Sequence, residues 1–363
     1  MKRLTTLALI VGLCTVVGLF LSSGLEDVAA AVVSAGWGAL IVVVARGFAV
    51  AWAGLGWYVI FPKMARPTLW DCMTLRFVRE GINTLLPVAQ VGGDFVGARL
   101  LTKRGVPGGV AGASMFVDLM TQAVTQFLFT VAGVLLLVWI AGDGPIVRTV
   151  AGGLALAAPA LGAFYLIQRR SGHKVIQALV SRFAGSREWR ALGAIDVLYD
   201  SLKRLYGHRG RVAGGLGIHL VGWFIGTIEV YVALHFMGYP VSIVEAVVIE
   251  SLAQAVRGAA FAVPGALGAQ EGGLIALCAI FGIPAEAALA LSLVKRLADL
   301  LVGVPGLFAW HALEGSDAAA PAVVPEIRSE PVLRHDLLVP VLANDFGGRA
   351  RVETDLGDLK KCA

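Results

Sequence analysis

Long apolar runs alternate along this chain with shorter stretches in which polar residues recur at helical spacing. Residues 4–21, 37–61, 110–141, 150–167, 213–237 and 286–311 are apolar enough and long enough to predict helices that cross a bilayer. Two stretches between them carry a different pattern. In residues 250–273, ESLAQAVRGAAFAVPGALGAQEGG, the polar groups Glu250, Gln254 and Arg257 fall at i, i+4 and i+7, so one face of an apolar helix is polar. Pro264-Gly265 and Gly268 then interrupt the helix, because proline removes a backbone donor and glycine tolerates any turn. Glu271 opens a second short apolar run. This predicts a broken, re-entrant helical hairpin. Taken alone, the stretch also fits a proline-kinked transmembrane helix whose charges pair with neighbours.

An echo earlier in the chain favours the hairpin. Residues 79–101, REGINTLLPVAQVGGDFVGARLL, again carry a polar-striped helix, a proline, glycines and an acid. Pro87 stands seven residues before Asp94, as Pro264 stands seven before Glu271, and Arg79 and Arg257 each precede their proline by about two helical turns. Arg76, Glu80 (or Arg79) and Asn83 recur at helical spacing in the first arm. A long apolar span with polar groups follows each hairpin. Two interrupted segments in corresponding halves point to a binding site between structural repeats.

The remaining polar positions fill in the frame. An arginine at bilayer depth costs at least ~2.5 kcal/mol, so Arg46, near the middle of 37–61, should face protein or water. Ser114, Asp118, Gln122 and Gln126 stripe the first half of 110–141, and Gly108 with Gly112 gives a weak helix-packing signal. The loop 168–211 holds ten Lys/Arg against three Asp/Glu, which predicts a cytoplasmic loop. Leu192, Ile195, Leu198, Tyr199, Leu202, Leu205 and Tyr206 within it predict an amphipathic helix on the inner leaflet, attracted to anionic lipid. His219 and Glu229 are ten residues apart and need not share a face. Lys295 and Asp299, four apart with Arg296 adjacent, predict an ion pair within one helix.

Composition narrows the class. With 57% hydrophobic and 15% charged residues, this is an all-α polytopic membrane protein of about six full transmembrane helices plus two re-entrant hairpins. Repeat one covers about 37–141 and repeat two about 213–311, inverted relative to each other within a membrane domain of 1–313. Residues 314–363, rich in Ala, Pro and acid, read as a disordered cytoplasmic tail. The run 4–21 reads as an uncleaved first helix rather than a signal peptide, with both termini cytoplasmic. Cys14, Cys72, Cys278 and Cys362 are scattered, and the six histidines form no metal-binding set. No disulfide, metal or cofactor is therefore expected, nor is nucleic acid a partner.

Residues 83–99, N-x-L-L-P-x-x-x-x-G-G-D-x-x-x-x-R, and 264–272, P-G-x-x-G-x-x-E-G, resemble the flippase-like family related to the membrane half of lysylphosphatidylglycerol synthases. Residues 250–307 look most like its hopanoid-biosynthesis-associated branch. The resemblance covers roughly 1–313 and implies a bacterial inner-membrane protein of lipid movement or lipid metabolism. The soluble aminoacyl-transferase domain that follows in true synthases has no counterpart in the tail, so lysyl transfer is not expected.

The leading expectation is translocation of an amphiphilic lipid, a hopanoid or an anionic or glycosylated lipid, without enzymatic activity. Arg79, Arg99, Arg257 and Arg296 would attract head-group oxygens, and Asn83, Gln90, Glu250 and Gln254 would bind other polar atoms. Asp94, Asp118, Glu271 and Asp299 would hold the arginines or carry protons. The alternatives are a membrane-embedded lipid-modifying enzyme and a non-catalytic scaffold for lipid-biosynthesis enzymes. No Walker A loop supports ATP hydrolysis.

Overall fold

The computed structural model describes residues 25–63, 66–86, 92–142, 144–169, 172–174, 188–261 and 263–315. The expected first helix (4–21), the bend 87–91 with Gln90, part of the basic loop and the tail beyond 315 lie outside the described residues.

Every described element is helical. Helix α1 (Leu25–Ile60) is broken at Gly36, whose φ of 42° no helix contains, immediately before the predicted start of the span at residue 37. Helices α2 (Leu69–Leu85) and α3 (Gly92–Lys103) form the arms of the first hairpin, followed by α4 (Gly108–Ala141) and α5 (Pro145–Ile167). Helix α6 (Glu188–Gly207) lies in the basic loop and leads into α7 (Arg209–Phe236). The second hairpin is α8 (Ile243–Ala259), a 3-10 turn at Pro264–Ala266, and α9 (Ala269–Ile280); α10 (Ala285–Gly315) closes the bundle. Both first arms start on a capping box, Thr68 with Asp71 and Ser242 with Glu245, which satisfies backbone N–H groups that would otherwise be orphaned at a helix start.

Among the described residues, α1, α4, α5 and α7 are long and apolar enough to cross a membrane. Helix α10 has the length, at 31 residues, but Lys295, Arg296 and Asp299 interrupt its apolar character. The chain is an all-α polytopic membrane protein. Its outer surface suits lipid: Trp37, Trp139, Leu156 and Phe308 are each more than two-thirds exposed. Helix α6 departs from expectation. Its apolar face does not lie in lipid, because Tyr199, Leu202 and Leu205 are buried against Ile60, Ala113 and Val117. The Tyr199 and Tyr206 hydroxyls donate to the Ile167 carbonyl and to Gln168 Oε1, both at 2.6 Å, tying α6 to the end of α5.

The helices pack in matched pairs. Helix α1 lies along α7; α2 packs on α10 as α8 packs on α4. Likewise α1 touches α10 as α7 touches α4, and α3 touches α4 as α9 touches α10. Each hairpin's first arm therefore leans on the long helix of the other half, the arrangement expected of two equivalent halves that share one core. Small residues permit the closest contact. A Cβ on Gly306 would collide with the Phe77 carbonyl oxygen, and one on Gly81 with the Gly303 carbonyl oxygen. Gly306→Val should therefore force α2 from α10 and lower stability by about 1–3 kcal/mol, read as a drop in Tm of the detergent-solubilised protein. An unchanged Tm would mean the two backbones do not approach this closely.

Candidate functional site

The two capped arms carry polar residues at the same offsets. Arg76, Glu80 and Asn83 are the eighth, twelfth and fifteenth residues of α2; Glu250, Gln254 and Arg257 are the eighth, twelfth and fifteenth of α8. Asp94 and Glu271 are each the third residue of the following arm. Equal helical phase turns both stripes inward, and the packing of α2 on α10 and α8 on α4 brings them to a shared space.

The first ion network centres on Asp118 of α4, which is fully buried. Its carboxylate accepts from Arg79 Nη1 at 2.8 Å and from Gln122 Nε2 at 2.8 Å, and lies 2.9 Å from His219 Nε2. Arg76 Nη1 approaches to 3.7 Å and donates from Nη2 to Gln122 Oε1 at 2.7 Å. Arg79 is also buried and donates from Nε to Asp94 Oδ1 at 2.8 Å, while its guanidinium lies 4.6 Å over the Trp57 ring. Asn83 ties the hairpin shut: its amide donates to Asp94 Oδ2 at 3.1 Å and its carbonyl accepts the Gly93 N–H at 2.7 Å.

The second network joins four helices. Lys295 of α10 donates to Glu250 at 2.8 Å and to Glu229 at 3.1 Å. Arg46 of α1 lies 3.3 Å from Glu229 and 3.1 Å from Asp299, and Arg257 lies 3.1 Å from the other oxygen of Asp299. The Arg46 contacts are close but not aligned as hydrogen bonds: its Nε and Nη2 have no hydrogen-bond partner, nor does Asp299 Oδ1. Beside this set, Glu271 caps its own helix by accepting the Gly268 N–H at 2.8 Å, and accepts Arg296 Nε at 2.7 Å and Ser292 Oγ at 2.9 Å. Arg296 Nη1 reaches the Gly265 carbonyl at 3.2 Å. Gly265 can present that carbonyl because its φ of 62° lies where residues with a Cβ are strained.

Between the networks lies a cavity of about 350 Å³. Arg76, Glu80, Asn83, Thr84 and Asp94 line it from the first hairpin, and Glu250, Gln254, Arg257 and Gly265 from the second. Arg46, Gln122, Gln126, His219, Trp223 and Glu229 complete its polar wall, with Ala49, Ala53 and Ala123 leaving room. Gln126 bridges the halves by donating to the Gln254 carbonyl at 3.0 Å.

The structure brings Asn83, Asp94, Glu250, Gln254 and Arg257 to the cavity wall, with Arg79, Asp118 and Asp299 directly behind as ion partners. Glu271 and Arg296 meet each other at the second bend. Arg99 stands elsewhere. It is well exposed, 2.7 Å from Glu314 at the end of α10, where Lys103 also binds. Its side chain leaves α3 on the face away from Asp94, so the arginine closing the first motif is not a wall residue. The ion pair expected inside α10 does not form either: Lys295 turns to α7 and α8, Asp299 to α1 and α8, and Arg296 to α9. Contacts at i, i+4 are weak beside carboxylates offered from three other helices. Sequence reasoning omitted Arg46, Arg76, Glu80, His219, Glu229 and Lys295 from the site. Their signal was their charge at membrane depth, but no spacing links residues 46, 229 and 299. Among the described residues no three His, Cys, Asp or Glu side chains converge as a metal site.

One family model, described as the lysylphosphatidylglycerol synthase TM region, matches residues 6–306. No curated protein and no solved structure matches the chain.

Removing one partner of a buried charge pair leaves the other uncompensated. Asp118→Leu should therefore cost about 3–5 kcal/mol and Arg79→Leu a similar amount. In a double-mutant cycle on detergent-solubilised protein, the combined variant should lose less than the sum of the two by more than about 1 kcal/mol. Additive losses would mean the two side chains do not interact.

Proposed function

The chain belongs to the lysylphosphatidylglycerol synthase TM region family, and from that premise we propose that it moves an amphiphilic lipid between the two leaflets of a bilayer. One observation carries the reading: a polar cavity, walled by both interrupted hairpins, inside a bundle whose outer face is apolar. A lipid crossing a bilayer must keep its head group solvated while its chains stay in hydrocarbon, and a wall of amides and paired charges supplies that solvation.

The charge arrangement bears on the cargo. Arg46, Arg76, Arg79, Arg257 and Arg296 each already face a carboxylate. An anionic head group would have to draw an arginine from its partner, whereas hydroxyl groups can bond to Gln122, Gln126, Gln254 and the outer oxygens of the carboxylates without breaking a pair. A glycosylated or polyhydroxylated lipid, which includes hydroxylated hopanoids, is the better fit. The slack contacts of Arg46 supply a pair that can rearrange as the halves move against each other. The basic loop 168–211 supports a bacterial inner-membrane location with that loop cytoplasmic.

The test is reconstitution of the full chain into vesicles of phosphatidylethanolamine and phosphatidylglycerol, doped with a fluorescent glycolipid whose outer-leaflet fraction is quenched by dithionite. Wild-type protein should accelerate leaflet exchange. Ala123→Trp, which narrows the cavity without replacing a charged residue, should slow it about tenfold or more, the effect of about 1.4 kcal/mol on the barrier. Exchange as fast in Ala123→Trp as in wild type would put the lipid path elsewhere. A change in lipid mass rather than leaflet would favour the membrane-embedded enzyme, and neither change would leave the scaffold.

A further inference from the structure

Glu80 differs from every other acid at this site. On the first-hairpin side, Asp94 and Asp118 hold Arg79, and Arg76 stands near Asp118. On the second, Glu229 and Glu250 hold Lys295, Asp299 holds Arg46 and Arg257, and Glu271 holds Arg296. Six permanent cations thus serve six carboxylates that each have a cation within 4 Å. Glu80, a seventh carboxylate, lines the cavity without an ion-pair partner among the described residues. Its hydrogen-bond partner is the hydroxyl of Thr84, one turn along α2, at 3.4 Å. Counted against the permanent cations, the site holds one carboxylate more than it has partners for, and that carboxylate is Glu80.

The groups packed around α2 account for that surplus without removing it. Arg46 of α1 lines the same cavity but is engaged by Glu229 and Asp299. Arg76, one turn back on α2, is turned to Gln122 and Asp118. Asp94 of α3 adds a further negative charge, Arg257 of α8 is held by Asp299, and Lys295 of α10 is held by Glu229 and Glu250. His219, the remaining titratable group of the wall, already lies on Asp118. A carboxylate in a water-reachable cavity of a lipid-embedded bundle calls for a compensating positive charge. One carboxylate and one hydroxyl are fewer oxygens than a metal cation takes, and sufficient for a proton.

We propose that Glu80 is the exchangeable proton site of this cavity, binding a proton from water on one side of the membrane and releasing it to water on the other. The only bond made and broken is the O–H of the carboxyl group, so no co-reactant is needed. The transport consequence rests on the translocase reading, since a proton carried with or against the lipid would drive the leaflet exchange. The proton site itself does not.

Two measurements separate these claims. First, infrared difference spectra of the detergent-solubilised full chain, taken between acidic and alkaline buffer, should contain a protonated-carboxyl band that is missing in Glu80→Gln and shifted in Glu80→Asp. An identical band in Glu80→Gln overturns the proposal. Second, in the vesicles above, a gradient of about one pH unit should bias the leaflet distribution of the fluorescent glycolipid by up to about tenfold in wild type, for one proton per lipid. In Glu80→Gln, whatever its exchange rate, the leaflet distribution finally reached should carry no bias from the gradient. A Glu80→Gln protein that still follows the gradient overturns coupling through Glu80. Wild-type exchange indifferent to the gradient does the same while leaving the translocase standing. No wild-type exchange with the band present removes the translocase and keeps the proton site. If the band is unchanged and Glu80→Gln slows only a fluorescent aminophospholipid, Glu80 contacts an ammonium head group and the proposal fails.

Discussion

An ionised side chain cannot stand alone in a hydrocarbon layer, and the interior of this bundle is arranged by that constraint. Arg46, Arg79, Arg257, Lys295 and Arg296 sit on α1, α2, α8 and α10, and each finds its carboxylate on a different helix. The helices are thereby held in one register around a polar centre. Apolar packing outside it is less specific, because lipid solvates an apolar helix surface as well as another helix does. Small residues such as Gly81 and Gly306 add the close backbone contact that hydrophobicity cannot supply between membrane helices.

A charge-compensated interior is also a costly one to keep if stability alone were at stake, since well-packed apolar residues often replace buried ion pairs without loss. Its retention around an open cavity is easier to understand as a property of a site. The two networks differ in a way that suits such a role. The Arg79–Asp94–Asp118 set is tightly hydrogen-bonded and further braced by Trp57 and Asn83. The Arg46–Glu229–Asp299 set is close but unaligned. A firm half and a looser half around one cavity give a bundle a place to yield.

Much of this was legible along the chain. Apolar runs and helical polar stripes marked α1, α4, α5, α7 and both hairpins, and the near-identical spacing from Arg79 to Asp94 and from Arg257 to Glu271 pointed to two related breaks. Helix geometry put Glu250, Gln254 and Arg257 on one face directly, but beside Arg76 and Asn83 it left Glu80 and Arg79 as alternatives; the structure puts Glu80 on the cavity wall and Arg79 behind it, on Asp94 and Asp118. Amphipathicity also gave α6, but a stripe of leucines and tyrosines does not state whether lipid or protein will cover it. Here α1 and α4 do.

What the sequence determined by itself, then, was local: where the chain is helical, where proline and glycine interrupt it, and which residues are too polar for lipid. Partner choice was decided only by the tertiary structure. Lys295 and Asp299 looked like each other's partners at i, i+4, yet packing offers both of them carboxylates or guanidinium groups from helices many residues away. Arg99 kept its place in the motif but faces Glu314 instead of the cavity. The physical reason is common to both cases. Spacing fixes direction on a single helix, whereas the strength of a buried ion pair depends on which helices meet, and at what depth.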